Sequence, residues 1–238
     1  MSGNCVSPNN VFGQLLIRYI IDKKIENVLT LIMRTFVAID LSMDFKHKIH
    51  ENILNIEENH KDYKWVYKEN SHITLSFFNN LDETGFKLLV CAIEDAVKNI
   101  KGFVFTTDKI IYIPIGIHRE GDYTYQKRMN GLALSIDKGK DKIKKIYETI
   151  ENKLIEEGFK NNYQFRQKER REYIPHITIA RKGRKPMMYA LAHEIMVSLE
   201  GNVDNITIFK SDLFKGNPNR QHKETSKYTK LKIYSLDC

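Results

Sequence analysis

The chain alternates between two hydrophobic periods, one of two residues and one of three to four, and it runs through them twice in the same order. Thr35-Phe36-Val37-Ala38-Ile39-Asp40-Leu41 reads as a strand, dense in β-branched and aromatic residues. Ser42 then stands where a helix N-cap belongs, and Phe45, Ile49, Ile53 and Ile56 recur behind it at helical spacing. Trp65-Val66 leads into a second strand, Ser71-His72-Ile73-Thr74-Leu75-Ser76, which runs on through Phe77-Phe78. Asp82 is placed to cap the next helix, with Phe86, Leu89, Ile93, Val97 and Ile100 along one side and Gly102 just past its end. Phe103 to Ile113 is strand-like, and Pro114 closes it.

After a polar connection over 116–129 the order restarts. Leu132-Ala133-Leu134-Ser135-Ile136 predicts a strand, and Ile143, Ile146, Ile150 and Leu154 predict a helix ending at Gly158. A strand through Pro175-His176-Ile177-Thr178-Ile179-Ala180-Arg181 follows, then a helix from Met187 to Leu199 and a strand from Val203 to Phe214. A final strand over Tyr228 to Leu236 alternates well. Both halves thus read strand, helix, strand, helix, strand, which predicts an α+β protein of two lobes related by an approximate two-fold axis. Residues 1–32 fall outside this pattern. They are either a start read too early, with the real beginning at Met33, or a helical appendage, and 33–238 is expected to form a single domain.

The second strand of each half carries the same tetrad, a histidine and a threonine two residues apart with apolar residues between and after. Alternate side chains of a strand leave the same face. His72 and Thr74 therefore oppose Ile73 and Leu75, and His176 and Thr178 oppose Ile177 and Ile179. With the apolar faces buried, each strand presents an imidazole beside a hydroxyl, and the two-fold would bring both pairs face to face across a groove.

Composition narrows the chemistry. The chain has 238 residues, 42% hydrophobic and 29% charged, with a net charge of +8 and a pI near 9.2, a balance suited to a polyanionic partner. Its apolar runs are too short to span a membrane and no leader pattern is visible, so a cytoplasmic, membrane-independent protein is expected. Cys5, Cys91 and Cys238 form neither a disulfide framework nor a zinc signature. Nucleophile elbow, phosphate-cradling glycine loop and dinucleotide fingerprint are all missing from the sequence. Two facing imidazoles remain, one neutral and one protonated, able to divide base and acid work on a phosphodiester. Two threonine hydroxyls beside them would donate to the phosphate oxygens. Such a site needs no metal and no cofactor.

The two tetrads, the opening Arg34-Thr35-Phe36-Val37-Ala38-Ile39-Asp40-Leu41 and the Pro175 to Arg181 stretch together resemble the two-histidine (2H) phosphoesterase superfamily, and within it the RNA 2',3'-cyclic phosphodiesterase family once described as 2'-5' RNA ligases. The resemblance spans about 33–238 and implies a bilobal fold with antiparallel sheets flanking a basic groove. It implies His72 as proton donor to the leaving oxygen and His176 as the base that activates water. Thr74 and Thr178 would hold the phosphate oxygens, with Arg181 adding charge. The implied reaction opens an RNA 2',3'-cyclic phosphate to a 2'-phosphate in a monomeric enzyme. Another 2'-phosphoryl substrate, such as a 2',5'-linked oligonucleotide or a cyclic nucleotide, and a non-catalytic RNA-binding module of the same fold are the competing readings. Arg166, Lys168, Arg170 and Arg171 would line the RNA path or simply form a solvated loop, with Phe165 or Tyr173 stacking on a base.

Overall fold

The computed structural model describes residues 33–61, 63–114, 129–159, 173–181, 195–215 and 224–237. Residues 1–32, the basic 165–171 segment and most of the predicted 187–199 helix lie outside the described residues. The strands are β1 (Met33–Asp40), β2 (Lys64–Trp65), β3 (His72–Leu81), β4 (Phe103–Pro114), β5 (Met129–Ile136), β6 (His176–Arg181), β7 (Glu200–Val203), β8 (Asn205–Lys215) and β9 (Glu224–Ser235). The helices are α1 (Met43–Asn59), α2 (Glu83–Val97) and α3 (Lys140–Glu156).

Helix starts follow the sequence signals. The Ser42 Oγ accepts from the Phe45 N–H at 3.2 Å, and the Asp82 carboxylate accepts from the Gly85 N–H at 2.7 Å, each satisfying an otherwise unpaired amide of a first turn. Helix α3 begins at Gly139 with φ of 80°, where a Cβ would also lie 3.0 Å from that of Phe105. Only glycine suits both demands.

The strands form one antiparallel sheet in the order β7-β4-β5-β6-β3-β1-β8-β9, with β2 paired to β6. The expected α+β architecture with two pseudo-symmetric antiparallel lobes is present, and the two lobes share this sheet. Its centre is the pairing of the tetrad strands β3 and β6 through Ile73 and Ile177. From there β1, β8 and β9 extend one lobe, and β5, β4 and β7 extend the other. The sequence halves are not the lobes, because each half lends its last strand to its neighbour: β4 pairs with β5 and β8 with β1.

One residue, Asp204, separates β7 at one end of the strand order from β8 near the other. The sheet therefore curls until its ends approach, and Gly102, at the head of β4, donates to the Asp237 carbonyl at 2.7 Å. The core lies on the face that carries Ile73, Leu75, Ile177 and Ile179, against the buried sides of α1, α2 and α3.

One predicted element changes type. Residues 195–199, the described end of the expected helix, are extended: the Val197 N–H donates to the Asp108 carbonyl, and the Thr107 N–H donates to the Leu199 carbonyl. Val197 is buried between exposed Met196 and Ser198, a two-residue period that pairing with β4 selects over local helix propensity. The expected Val203–Phe214 strand also divides, into β7 and β8 around Asp204.

Candidate active site

Placement of the tetrads follows from register. In an antiparallel pair, directly opposed residues share a face. Ile73 opposite Ile177 sets both isoleucines toward the core, so His72, Thr74, His176 and Thr178 occupy the other face together. His72 then lies across from Thr178, and Thr74 across from His176. The structure thus brings the four predicted residues into one quartet on two adjacent strands.

Both histidines are held by one device. The His72 Nδ1 lies 2.6 Å from the Asn70 carbonyl and the His176 Nδ1 lies 2.7 Å from the Ile174 carbonyl. A carbonyl only accepts, so each Nδ1 carries the proton and each Nε2 is left for chemistry. The lead-in segments supply these carbonyls differently. Asn70 ends a 3-10 turn over Lys68–Asn70 and is tied to β9 by its Nδ2, which donates to the Ser226 carbonyl at 2.8 Å. Ile174 is held extended by Pro175 after it.

The Nε2 atoms differ in their surroundings. That of His72 lies 2.9 Å from the Thr74 Oγ1. That of His176 has no hydrogen-bond partner among the described residues.

Arg181 reaches the quartet through a bulge. Between β5 and β6 the register advances from Ala133–Thr178 to Leu132–Ala180, so β6 spends an extra residue at Ile179 and Arg181 turns to the histidine face. β3 carries the matching bulge at Leu75, where Ala38–Thr74 is followed by Val37–Ser76, and there Phe77 takes the place that Arg181 has in β6. Arg181 is exposed, and its charge acts on both His72 and His176.

Around His72 are groups that sequence reasoning missed. Phe36 lies 4.8 Å from the imidazole, centre to centre, and Tyr228 meets it edge-on at 5.4 Å. With Ala38, Phe209 and Phe77 these residues make a second, small apolar cluster on the histidine face. Asp40 stands directly across from His72. Its carboxylate pairs with Lys46 at 2.7 Å and Lys230 at 2.6 Å, and the buried Lys46 ammonium also donates to the Glu69 carbonyl at 3.0 Å, next to the carbonyl that orients His72. The available signal was Asp40 closing the apolar run Phe36 to Ile39, which marks a carboxylate that needs cationic partners.

Electrostatics follow from this packing. Desolvation lowers the pKa of His72 to about 4; the Asn70 carbonyl opposes the shift, and Lys46, Arg181 and His176 reinforce it. His176 is lowered too, first by desolvation and then by Arg181, against the pull of the Ile174 carbonyl. Burial raises the Asp40 carboxyl, but hydrogen bonds and charge from Lys230 and Lys46 outweigh it, and the group lies below its ordinary value. The empty site therefore holds two neutral imidazoles in a positive field, the charge state that an incoming anion relieves.

Tyr173, expected as a base platform, is used otherwise. Its ring stacks on Tyr147 at 4.0 Å, and its hydroxyl donates to the Thr74 carbonyl at 2.8 Å. That bond crosses from the β6 lead-in to β3 where the two strands share a single described pairing. Trp65 is buried, with its indole donating to the His60 carbonyl at 3.0 Å. No three His, Cys, Asp or Glu side chains gather in a metal-binding group among the described residues. No helix among them is long and apolar enough to cross a membrane.

Known proteins resemble this chain in sequence and in fold. Residues 46–213 match the family model of the 2'-5' RNA ligase superfamily. An RNA 2',3'-cyclic phosphodiesterase of Thermotoga maritima is 28% identical over 189 residues, covering 78% of this chain and 90% of that protein. One from Methanocaldococcus jannaschii is 30% identical over 151 residues, covering 63% and 71%. Among solved structures, a Thermus thermophilus protein superposes with a TM-score of 0.66 at 18% identity, covering 86% of this chain and 98% of that one. Escherichia coli LigT complexed with 3'-AMP superposes with a TM-score of 0.58 at 20% identity, covering 87% and 99%.

Proposed function

The chain belongs to the 2'-5' RNA ligase superfamily, and from that premise we propose that it is a hydrolase opening RNA 2',3'-cyclic phosphate ends to 2'-phosphates by a two-histidine, metal-independent mechanism. The observation that carries the reading is the paired tautomer lock: two imidazoles on one sheet face, each with Nδ1 held by a backbone carbonyl two residues back and Nε2 left for proton transfer. The activity carried by the curated relatives supports the same reaction.

The asymmetry around the quartet supports the division of roles. In-line displacement puts the attacking water and the departing oxygen on opposite sides of phosphorus. The aromatic wall of Phe36 and Tyr228 beside His72 suits the nucleoside, so the departing 3'-oxygen stays on that side. His176, whose Nε2 has no partner among the described residues, is assigned the side from which water comes. His176 Nε2 takes a proton from the water as its oxygen bonds to phosphorus. The bond from phosphorus to the 3'-oxygen breaks, and His72, protonated at Nε2, gives its proton to that oxygen. Thr74, Thr178 and Arg181 stabilise the charge growing on the non-bridging oxygens. The proton on His72 arrives with the substrate, whose negative charge offsets the desolvation that keeps the empty site neutral.

Incubating the protein with RNA ending in a 2',3'-cyclic phosphate, in the presence of a chelator, tests this. Conversion to a 2'-phosphate end is expected. Tight binding without turnover would establish the binding module instead, and turnover confined to 2',5'-linked oligomers in the same panel would reassign the substrate.

A further inference from the structure

On the histidine face, β1 continues beyond the quartet. Its alternate residues Asp40, Ala38 and Phe36 stand across from His72, Thr74 and Phe77, and Arg34 is the next on that face. At a strand rise of about 3.3 Å per residue, Arg34 lies roughly 13 Å along β1 from Ala38. Its guanidinium sits 5.4 Å over the ring of Phe77, which is itself near-parallel to Phe36 at 6.4 Å.

Arg34 is half-buried, and no carboxylate pairs with it among the described residues. Two other cations on strands are neutralised by carboxylates: Lys210 pairs with Asp212, and Lys232 pairs with Glu94. A contact of guanidinium carbon with a ring uses none of the five N–H donors, and that planar fork is matched to phosphate.

The opposite direction along the same face is unsuited to a polyanion. Past Asp40 lies an open pocket of about 420 Å³ lined by Asp40, Asp204, Asn205 and Lys230 among others. There Asn205 spends its amide on the Asp40 backbone and on Asp204, and Lys230 is taken by Asp40.

We infer that Arg34, held over Phe77, is a subsite for a phosphodiester of the RNA strand leading to the reacting end. With its backbone roughly 13 Å along β1 from Ala38, which faces Thr74, it is read as meeting a neighbouring phosphodiester and not the reacting one. The substrate class is then an oligonucleotide, and a cyclic mononucleotide leaves the subsite empty. This rests on the reading that the quartet opens an RNA cyclic phosphate.

The test compares wild type, Arg34→Met and Arg34→Lys on a 2',3'-cyclic mononucleotide and on a trinucleotide ending in a 2',3'-cyclic phosphate. Wild type should favour the trinucleotide in kcat/KM. Arg34→Met should cut the ratio of the two kcat/KM values about tenfold, through KM, and lower the log-log salt slope for the trinucleotide by about one. Arg34→Lys should restore part of the slope and less of the ratio. Equal wild-type use of both substrates, or an equal loss on both in Arg34→Met, overturns the subsite. If wild type opens neither, the proposed reaction fails. Anisotropy with a labelled trinucleotide bearing a 2'-phosphate end then decides the subsite alone: about tenfold weaker binding by Arg34→Met supports it, and equal binding overturns it.

Discussion

The two lobes solve the same backbone problem and then part company in what they put around it. Each places a histidine and a threonine on the outer face of a central strand, locks the histidine Nδ1 on the carbonyl two residues back, and inserts a bulge after the threonine. At matching positions the surroundings diverge. Asp40 faces His72 where Ser135 faces His176, and Phe36 faces Phe77 where Gly131 faces Arg181. One lobe gives its histidine an apolar wall braced by an ion-paired carboxylate. The other sets a serine across from its histidine and brings a guanidinium to the same face. Symmetry thus supplies two equivalently held imidazoles, and their surroundings make them inequivalent.

The largest effects test that inequivalence directly. His72→Ala and His176→Ala should each lower kcat on cyclic-phosphate RNA by about 10²–10⁴, the usual worth of a positioned acid or base. An aryl phosphodiester with a good leaving group separates the roles, because its departing oxygen needs no proton. His72→Ala should recover most of its loss on that substrate, and His176→Ala should recover none. Equal recovery in both variants would refute the division of roles argued from the aromatic wall.

Arg181→Met comes next, with an expected loss of 10- to 100-fold in kcat/KM from missing charge at the phosphate. It also has a signature in pH. The Arg181 charge disfavours the imidazolium of both histidines, so its removal raises both pKa values. The kcat/KM profile of the free enzyme reports these groups, as macroscopic values of the coupled pair. Wild type should show its optimum below pH 6.5, and Arg181→Met should move both limbs upward. A profile that loses height without moving would mean that Arg181 touches the substrate but is electrostatically remote from the histidines.

Alternation and capping carried much of the fold in the sequence, because they are local. Ser42 and Asp82 cap where expected, and the two tetrads announce themselves since one apolar face must be buried. What stayed hidden depends on register. Strict alternation sends Arg181 to the core side with Ile177, and only the bulge at Ile179 turns it out. Its place in the site came from family resemblance and not from spacing. The exchange of β4 and β8 between lobes leaves no local mark, and neither does the pairing that keeps 195–199 extended in spite of helix-forming neighbours. Tyr173, offered beside Phe165 as a base platform, shows a similar gap: an aromatic in a basic stretch looks available until Tyr147 is seen against it. The wall around His72 is assembled from β1, β8 and β9, distant in sequence, and a curled sheet is needed to see it.

The smallest effect concerns stability and isolates the wall of the first lobe. An unfolded histidine titrates near pH 6.5, while His72 in the fold titrates at about 4. Between these values the unfolded chain binds more protons than the native one, so stability rises with pH across that window and is lost as pH falls through it. Carboxylates titrate there as well, so the comparison must be a difference between two proteins. His72→Gln removes the titrating group and keeps a polar side chain of similar length. Wild type should lose on the order of 2 kcal/mol relative to His72→Gln between pH 7 and pH 4, read from denaturant midpoints at constant ionic strength. His176→Gln should show a difference of the same sign, since desolvation lowers His176 as well. Parallel curves for wild type and His72→Gln would mean that solvent reaches the imidazole freely, and the aromatic wall would then not be what desolvates it.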